Sequence, residues 1–529
     1  MAKILLINPT IREEDVPRHI PYGLALLASL ALEKGHHVQF YDENAWRKGE
    51  GVLRQVIAAD DWDVVGIGGL ITAYNSIKKI VRVVKEIAPT TFLIGGGGFF
   101  TAMPKEMMQW LPQLDLGIVG EAFITWPEVL EKVGRGDFDF SQTLGVCYRE
   151  RNGNTKLTEV RPNIRDLDTL PYPAWDLLPI EEVYFKNSSN YYSEDAYTSR
   201  RRIDINGSLG CSLICRYCWH LGTTGDMVIE KNEQDGENDV RFTYGRNIRY
   251  HSPRYLVDMV KHLVKKYKID FASFIDENMM TMHVASGRKW LYELCDLWIK
   301  EGLQPSCVRD GVEHDENCKG IHWSGTSHAG LADPDILKTM RKAGCSHLVY
   351  GLESFDPVIL KNLGKGSNQS ANARSIPMTL EAGIAPIANI IIGFPEETFE
   401  SIRTTMEWMI KLGIHAKPHF ATPYPGSEWY YSYKDSIAEQ YKGDLEAFVK
   451  DLGDASKITA VISHRFSPIQ LLGLQEIVAR RDLRLLDLTQ KHWANCDEHI
   501  KPLAQPKASF NMVKKKVQAP IEEEAKAQP

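Results

Sequence analysis

The chain has 529 residues, 43% hydrophobic and 25% charged, with 62 Lys and Arg against 69 Asp and Glu for a net charge of −7. That is enough chain for about two to four globular domains. No long basic stretch is present, which argues against binding along a nucleic-acid backbone, and no apolar run approaches the ~18 residues of a membrane span. The apolar start MAKILLINPT is strand-like and too short for a signal peptide. Nine cysteines in a chain of this length are too few for a disulfide scaffold, so a reducing cytoplasm is the expected setting.

The first third alternates strand and helix patterns. Residues 3–7 form an apolar run that stops at Asn8-Pro9, predicting a buried strand, and 22–34 predict a helix closed by Gly35. Strands over 38–42, 63–68, 92–94 and 115–119 follow, with helices over 51–59, 76–87 and 124–133. In the 76–87 helix Ile77, Ile80, Val81 and Val84 fall on one face. This spacing predicts an open, doubly wound parallel sheet with helices on both faces, an α/β fold. Ligands of such sheets sit beyond the carboxyl ends of the strands. Here those ends carry Gly68, Gly69, Thr72, the run Gly95, Gly96, Gly97 and Gly98, and then Gly120 and Glu121. Such glycines either admit a bulky ligand close to the backbone or only form tight turns. No G-x-G-x-x-G opens the first helix, so a nicotinamide-binding domain fits poorly.

Residues 137–165 predict a small β-segment, and 166–179 are Pro-rich and extended, the strap between two domains. Residues 428–500 read mainly as helices. From Lys501 the composition turns to Pro, Lys, Ala, Gln and Glu, predicting a disordered tail. The expected division is 1–140 for the first domain, 141–194 for the connector, 195–430 for a second domain, 431–500 for a helical region and 501–529 for the tail.

After a predicted strand over 202–206 comes Cys211-Ser-Leu-Ile-Cys215-Arg-Tyr-Cys218, a C-x3-C-x2-C pattern. Three thiolates in one loop suit one face of a 4Fe-4S cluster with one iron left open. Two other readings remain: a zinc site completed by His220, at an unusual spacing, and three unrelated core cysteines. A second polar stretch, 307–318, holds Cys307, His314 and Cys318. It is read as a solvated loop insertion before a strand over 321–324, or as a metal site or part of a substrate pocket.

With Tyr217 just before its last cysteine, this pattern resembles the radical S-adenosylmethionine (SAM) signature. The segments that follow agree in order. The strand over 271–278 ends in Asp276-Glu277-Asn278, where the family places a segment near the SAM amino group, usually Gly-Gly-Glu. Gly351-Leu-Glu353-Ser354 matches a pattern near the SAM ribose and methionine. Residues 388–397, with Gly393 and Glu396, resemble a segment near the adenine, although Asn389 replaces its first glycine. The resemblance covers roughly 195–430 and implies a partial (β/α)6 TIM-type barrel with the cluster at its mouth.

The preceding parallel sheet resembles the cobalamin-binding domain of the radical SAM group that includes cobalamin-dependent methyltransferases and anaerobic magnesium-protoporphyrin monomethyl ester cyclases. In that group the corrin and its nucleotide tail lie over the sheet's carboxyl edge. The D-x-H-x-x-G pattern of classical cobalamin domains is absent; His19 lies in the corresponding loop without it.

The resemblance implies three cofactors: a 4Fe-4S cluster on Cys211, Cys215 and Cys218; SAM near Tyr217, Asp276, Glu277, Glu353, Ser354, Gly393 and Glu396; and cobalamin on the glycine edge. It further implies methylation of an unactivated carbon in a small-molecule or natural-product substrate. The alternative is radical cyclisation, ring rearrangement or oxidation without methyl transfer. A flavodoxin- or ferredoxin-type one-electron donor is expected as partner, with no nucleic acid and no membrane. The resemblance implies no particular catalytic side chain.

Overall fold

The computed structural model describes residues 1–188, 199–218, 227–231, 238–243, 245, 247–315 and 317–494. Its first sheet is built from β1 (Lys3–Asn8), β2 (His37–Asp42), β3 (Val64–Gly68), β4 (Phe92–Gly96), β5 (Leu116–Ile118), β6 (Val146–Arg149) and β7 (Thr155–Leu157). The spatial order is β2-β1-β3-β4-β5-β6-β7. Strands β1 to β5 are parallel, and Ile4, Leu5, Leu6 and Ile7 of β1 are all buried, as a strand covered on both faces requires. The helix Tyr74–Ile87 turns Ile77, Ile80, Val81 and Val84 into the core, following its sequence period.

The β6–β7 hairpin falls in the stretch expected to be the connector. It pairs antiparallel with β5 and extends the first sheet instead. Two short helices, Gly98–Thr101 and Pro104–Trp110, fill the β4–β5 crossover, where the apolar pattern alone gave no element.

The second sheet begins with β8 (Arg202–Ile205). Two small antiparallel pairs intervene, formed by β9 (Ser208–Leu209) with β12 (Arg249–Tyr250) and by β10 (Met227–Lys231) with β11 (Asn238–Phe242). The sheet continues through β13 (Phe271–Phe274), β14 (His322–Ser327), β15 (Cys345–Glu353), β16 (Ala385–Ile392) and β17 (His419–Phe420). Its six strands lie in chain order, all parallel, as the partial barrel requires. Two of its helices start at clear side-chain caps: Ser252 accepts from Tyr255 N at 3.1 Å, and Thr398 and Ser401 form a capping box.

The two sheets share apolar cores. Tyr22, Ala25 and Leu26 of the first domain pack into the cluster that holds Leu256, Val257 and Val260 of the barrel. Trp429, Tyr430 and Phe448 of the C-terminal helices join the core of the first sheet. Both carboxyl edges therefore face a common space. Among the described residues no helix is long and apolar enough to cross a membrane. The stretch 501–529, expected to be a tail, lies outside the described residues.

Candidate active site between two sheet edges

At the first edge the chain offers backbone. A cavity of about 390 Å³ is lined by Gly68, Gly69, Gly95, Gly96, Gly97, Gly98, Gly120 and Glu121, with Leu24, Phe123 and Trp126 as apolar walls. Gly97 has φ +90°, and a Cβ there would lie 3.0 Å from the Gly69 carbonyl oxygen, so a side chain is excluded on two counts. Gly69 N donates to Gly96 O at 3.3 Å and Phe99 N to Gly69 O at 3.1 Å, which locks the two loops together. The Glu121 carboxylate is engaged by the chain itself: Oε2 accepts from Arg249 Nη1 at 2.6 Å and Oε1 from Ile164 N at 3.1 Å.

A second cavity, of about 440 Å³, runs from this edge to the barrel mouth. Thr72 lines it from the first domain, and Cys218, Tyr217, Glu353, Asn389 and Trp429 from the barrel side. Ile11, Leu70 and Gly98 line both cavities, so the two spaces adjoin.

The cysteine loop leaves β8 under close control. Asp276, buried at the end of β13, accepts from Gly207 N with both carboxylate oxygens at 3.1 and 3.0 Å and also from Ser208 Oγ. Gly210 has φ +97° and sits where a Cβ would lie 2.7 Å from Asn247 O. Cys211 Sγ is 3.9 Å from Thr281 Oγ1, Cys215 is buried, and Cys218 faces the cavity. Arg216 N donates to Leu363 O at 3.0 Å, and its carbonyl accepts from Trp429 N at 3.1 Å, fixing the loop between two neighbours. Burial pushes the Cys215 thiol up to about 12, opposed by the charge of Lys365. It is therefore an inert thiol unless a metal deprotonates it.

Beside the loop stands a buried polar triad. Tyr217 OH donates to Glu353 Oε1 at 2.7 Å, and Lys365 Nζ donates to the same oxygen at 2.6 Å and to Gly351 O at 2.5 Å. Glu353 adopts φ 62°, uncommon for a residue with a side chain, at a register shift between β15 and β16. Gly351 is required by the same geometry, since a Cβ there would lie 2.3 Å from Glu353 Oε1. Burial alone would lower the Lys365 pKa, but Glu353 outweighs it and holds the ammonium above its ordinary value. Burial and the adjacent Glu353 charge keep Tyr217 a phenol, well above its ordinary pKa.

The structure does not bring every expected residue to this space. Asp276 faces the start of the cysteine loop and acts as its clamp, and burial raises its carboxyl to about 7. Glu277 is half-buried next to it, also raised to about 7 by burial. Ser354 turns inward: its hydroxyl lies 3.0 Å from Thr405 Oγ1 and accepts from Asp356 N at 3.0 Å. Gly393 lies under the C-terminal helix, where a Cβ would meet Leu471 at 3.2 Å. Glu396 is exposed, while its neighbour Glu397 is buried and accepts from Gly393 N. His19 is held through Nδ1 by Asp204 Oδ2 of β8 at 2.9 Å. His220, the alternative fourth ligand of a zinc site, lies outside the described residues. Sequence reasoning missed Lys365, which follows a short helix with no motif around it.

The residues present suit the groups the sequence implies. A loop of three sulfur donors, one facing a cavity, matches an open cluster, and a glycine cradle against a backbone carbonyl matches a large flat ligand. The comparisons agree. Residues 205–409 match the Radical SAM superfamily, and residues 11–130 match the B12 binding domain. An uncharacterized methyltransferase of Pyrococcus horikoshii is 26% identical over 444 residues, 83% of this chain and 84% of the relative. The anaerobic magnesium-protoporphyrin IX monomethyl ester cyclase of Rubrivivax gelatinosus is 24% identical over 449 residues, 82% of this chain and 70% of the relative. In fold, the chain is similar to the radical SAM methyltransferase TsrM of Kitasatospora setae, solved with cobalamin and a [4Fe-4S] cluster. That match has a TM-score of 0.60 at 15% identity and covers 83% of this chain and 78% of that one. Residues 11–130 are thus a B12-binding domain and residues 205–409 a radical SAM domain, carried in this order on one chain.

Proposed function

We propose that this chain methylates an unactivated carbon of a small-molecule substrate. Cys211, Cys215 and Cys218 hold the 4Fe-4S cluster, Glu353 and Tyr217 contact SAM, and the glycine edge from Gly68 to Gly98 holds cobalamin. The observation that carries this reading is the meeting of the two cavities at Ile11, Leu70 and Gly98. When bound, the cluster and cobalamin supply one-electron chemistry and a transferable methyl group.

The chain's own residues supply position. Among the described residues, both side-chain bonds to Glu353 fall on Oε1, from Tyr217 and Lys365. Oε2 is then the oxygen for a donor on SAM. The Lys365 ammonium pairs with this buried carboxylate at 2.6 Å and holds it toward the cavity. Asp276 holds the entry of the cysteine loop, and the Arg216 backbone bonds hold its middle, so the three sulfurs keep one arrangement. Phe420, Tyr424 and Trp429 wall the larger cavity and exclude water from a reactive carbon. The electron donor is an external flavodoxin- or ferredoxin-type protein, and the setting is a reducing cytoplasm.

The relatives named as cyclases favour a second reading, ring formation without methyl transfer. The two separate by products. Reconstituted, reduced protein is incubated with SAM carrying a deuterated methyl group and a small-molecule extract of the source cells. Methylation predicts a product carrying the labelled methyl together with S-adenosylhomocysteine. 5′-Deoxyadenosine without any labelled product contradicts methylation and supports cyclisation or oxidation.

A further inference from the structure

At the opposite end of the barrel, the polar insertion folds into a compact cluster. The loop between the helix Trp290–Lys300 and β14 carries Cys307, His314 and Cys318, and β14 itself opens with His322. One ligand atom from each of the four lies within 4.8 Å of the others. Cys307 Sγ is 3.7 Å from His314 Nδ1 and 3.4 Å from His322 Nε2, and Cys318 Sγ is 3.8 Å from His322 Nε2. A tetrahedral zinc ion, with bonds of ~2.3 Å to sulfur and ~2.0–2.1 Å to nitrogen, places its ligand atoms about 3.3–3.8 Å apart.

We propose that Cys307, His314, Cys318 and His322 form a structural zinc site, C-x6-H-x3-C-x3-H, separate from the iron–sulfur centre. Four protein donors close the coordination shell, the arrangement of structural rather than catalytic zinc. A two-iron cluster with two cysteines and two histidines fits less well. It would hold each pair on a separate metal, whereas here cysteine and histidine atoms interleave.

The surrounding chain is shaped for this role. Cys307 N and Ser306 Oγ both approach Cys318 Sγ, at 3.5 and 3.6 Å, and donate to it as a thiolate. Ser306 N donates to Lys319 O at 2.7 Å and Lys319 N to Ser306 Oγ at 2.9 Å, clamping the two cysteine segments side by side. Gly320, with φ +98°, sits where a Cβ would lie 2.4 Å from Gln304 O, so the loop closes tightly before β14. His322 pairs with Phe271, the first residue of β13, so the site lies at the amino ends of the strands. Glu353 and the cysteine loop lie at the carboxyl ends. In parallel barrels chemistry sits at the carboxyl ends, and the amino ends serve stability. The ion therefore staples a long crossover to the barrel floor.

The test is a metal analysis of the full-length protein, purified without oxygen after growth with zinc. The expected result is about one zinc per chain, retained in the Cys211→Ala, Cys215→Ala, Cys218→Ala triple variant while its iron is lost. Cys318→Ser, and separately the exposed His314→Ala, are expected to lower zinc retention against a chelator by at least ~10-fold while iron is kept. His314→Ala guards against misfolding, because that side chain is on the surface. Cobalt(II) in place of zinc should give the visible spectrum of a tetrahedral thiolate site, altered by Cys318→Ser. Wild-type protein that holds no zinc after incubation with zinc chloride would overturn the proposal. So would zinc that disappears with the triple variant, or that is indifferent to both single variants.

Discussion

The first sheet meets the shared space with backbone, at Gly68, Gly69 and Gly95 to Gly98, and a nearby carboxylate, Glu121, is tied to Arg249. The barrel meets the same space with side chains: the thiol of Cys218, the phenol of Tyr217 and the carboxylate of Glu353 backed by Lys365. A backbone edge recognises by shape, tolerating a large neutral surface and rejecting any added atom. A side-chain edge recognises by charge and ligation, and must keep buried ionised groups paired. The two edges should therefore fail in different ways, and each failure should leave the other edge's ligand in place.

The largest effect is expected from Cys215→Ala. Loss of one of three donors should remove the iron and bring SAM cleavage to background, while cobalt uptake at the glycine edge persists; iron and cobalt analysis on one sample reads both. Next comes Lys365→Met, which strands the buried Glu353 carboxylate. Stability in denaturant titrations should fall by about 3–5 kcal/mol, and the double variant with Glu353→Gln should recover much of that loss. If the double variant is no more stable than the single, the pair is not the barrel edge's electrostatic anchor. A smaller effect, confined to the first edge, is expected for Gly97→Val. Its side chain would meet the Gly69 carbonyl at a φ of +90°, so cobalamin retention should drop at least ~10-fold, about 1.4 kcal/mol, with iron unchanged.

The smallest effect is a pH dependence at Glu397, whose carboxyl is raised to about 8 by burial. An unfolded glutamate ionises near ~4.3, so the folded chain keeps a proton there that the unfolded chain has released. Stability should therefore be fullest below that value and decline as pH rises through about 8. Glu397→Gln should flatten that slope in melting temperatures measured from pH 5 to 9. An unchanged slope would assign the pH dependence to other groups.

Much of this was legible in the sequence for physical reasons. Continuous apolar runs such as Ile4–Ile7 can be only buried strands at that length, and three cysteines in eight residues have few other uses. The β6–β7 hairpin was not legible, because its partner β5 is distant in sequence and no local pattern announces the pairing. Glu396 and Glu397 are equivalent as letters. The Thr398 capping box sets the phase of the following helix, and with it Glu397 turns inward and Glu396 outward. Lys365 became visible only once β15 folded Glu353 into its reach. His322 escaped notice as a ligand because it reads as the start of a strand, which it also is.

The central claim is that Cys211, Cys215 and Cys218 hold a cluster with one iron open to SAM. Electron paramagnetic resonance of the reconstituted, reduced protein with and without SAM tests it most directly. The account predicts a reduced-cluster signal that changes on adding SAM. A signal indifferent to SAM, or one that survives replacement of all three cysteines, would contradict it.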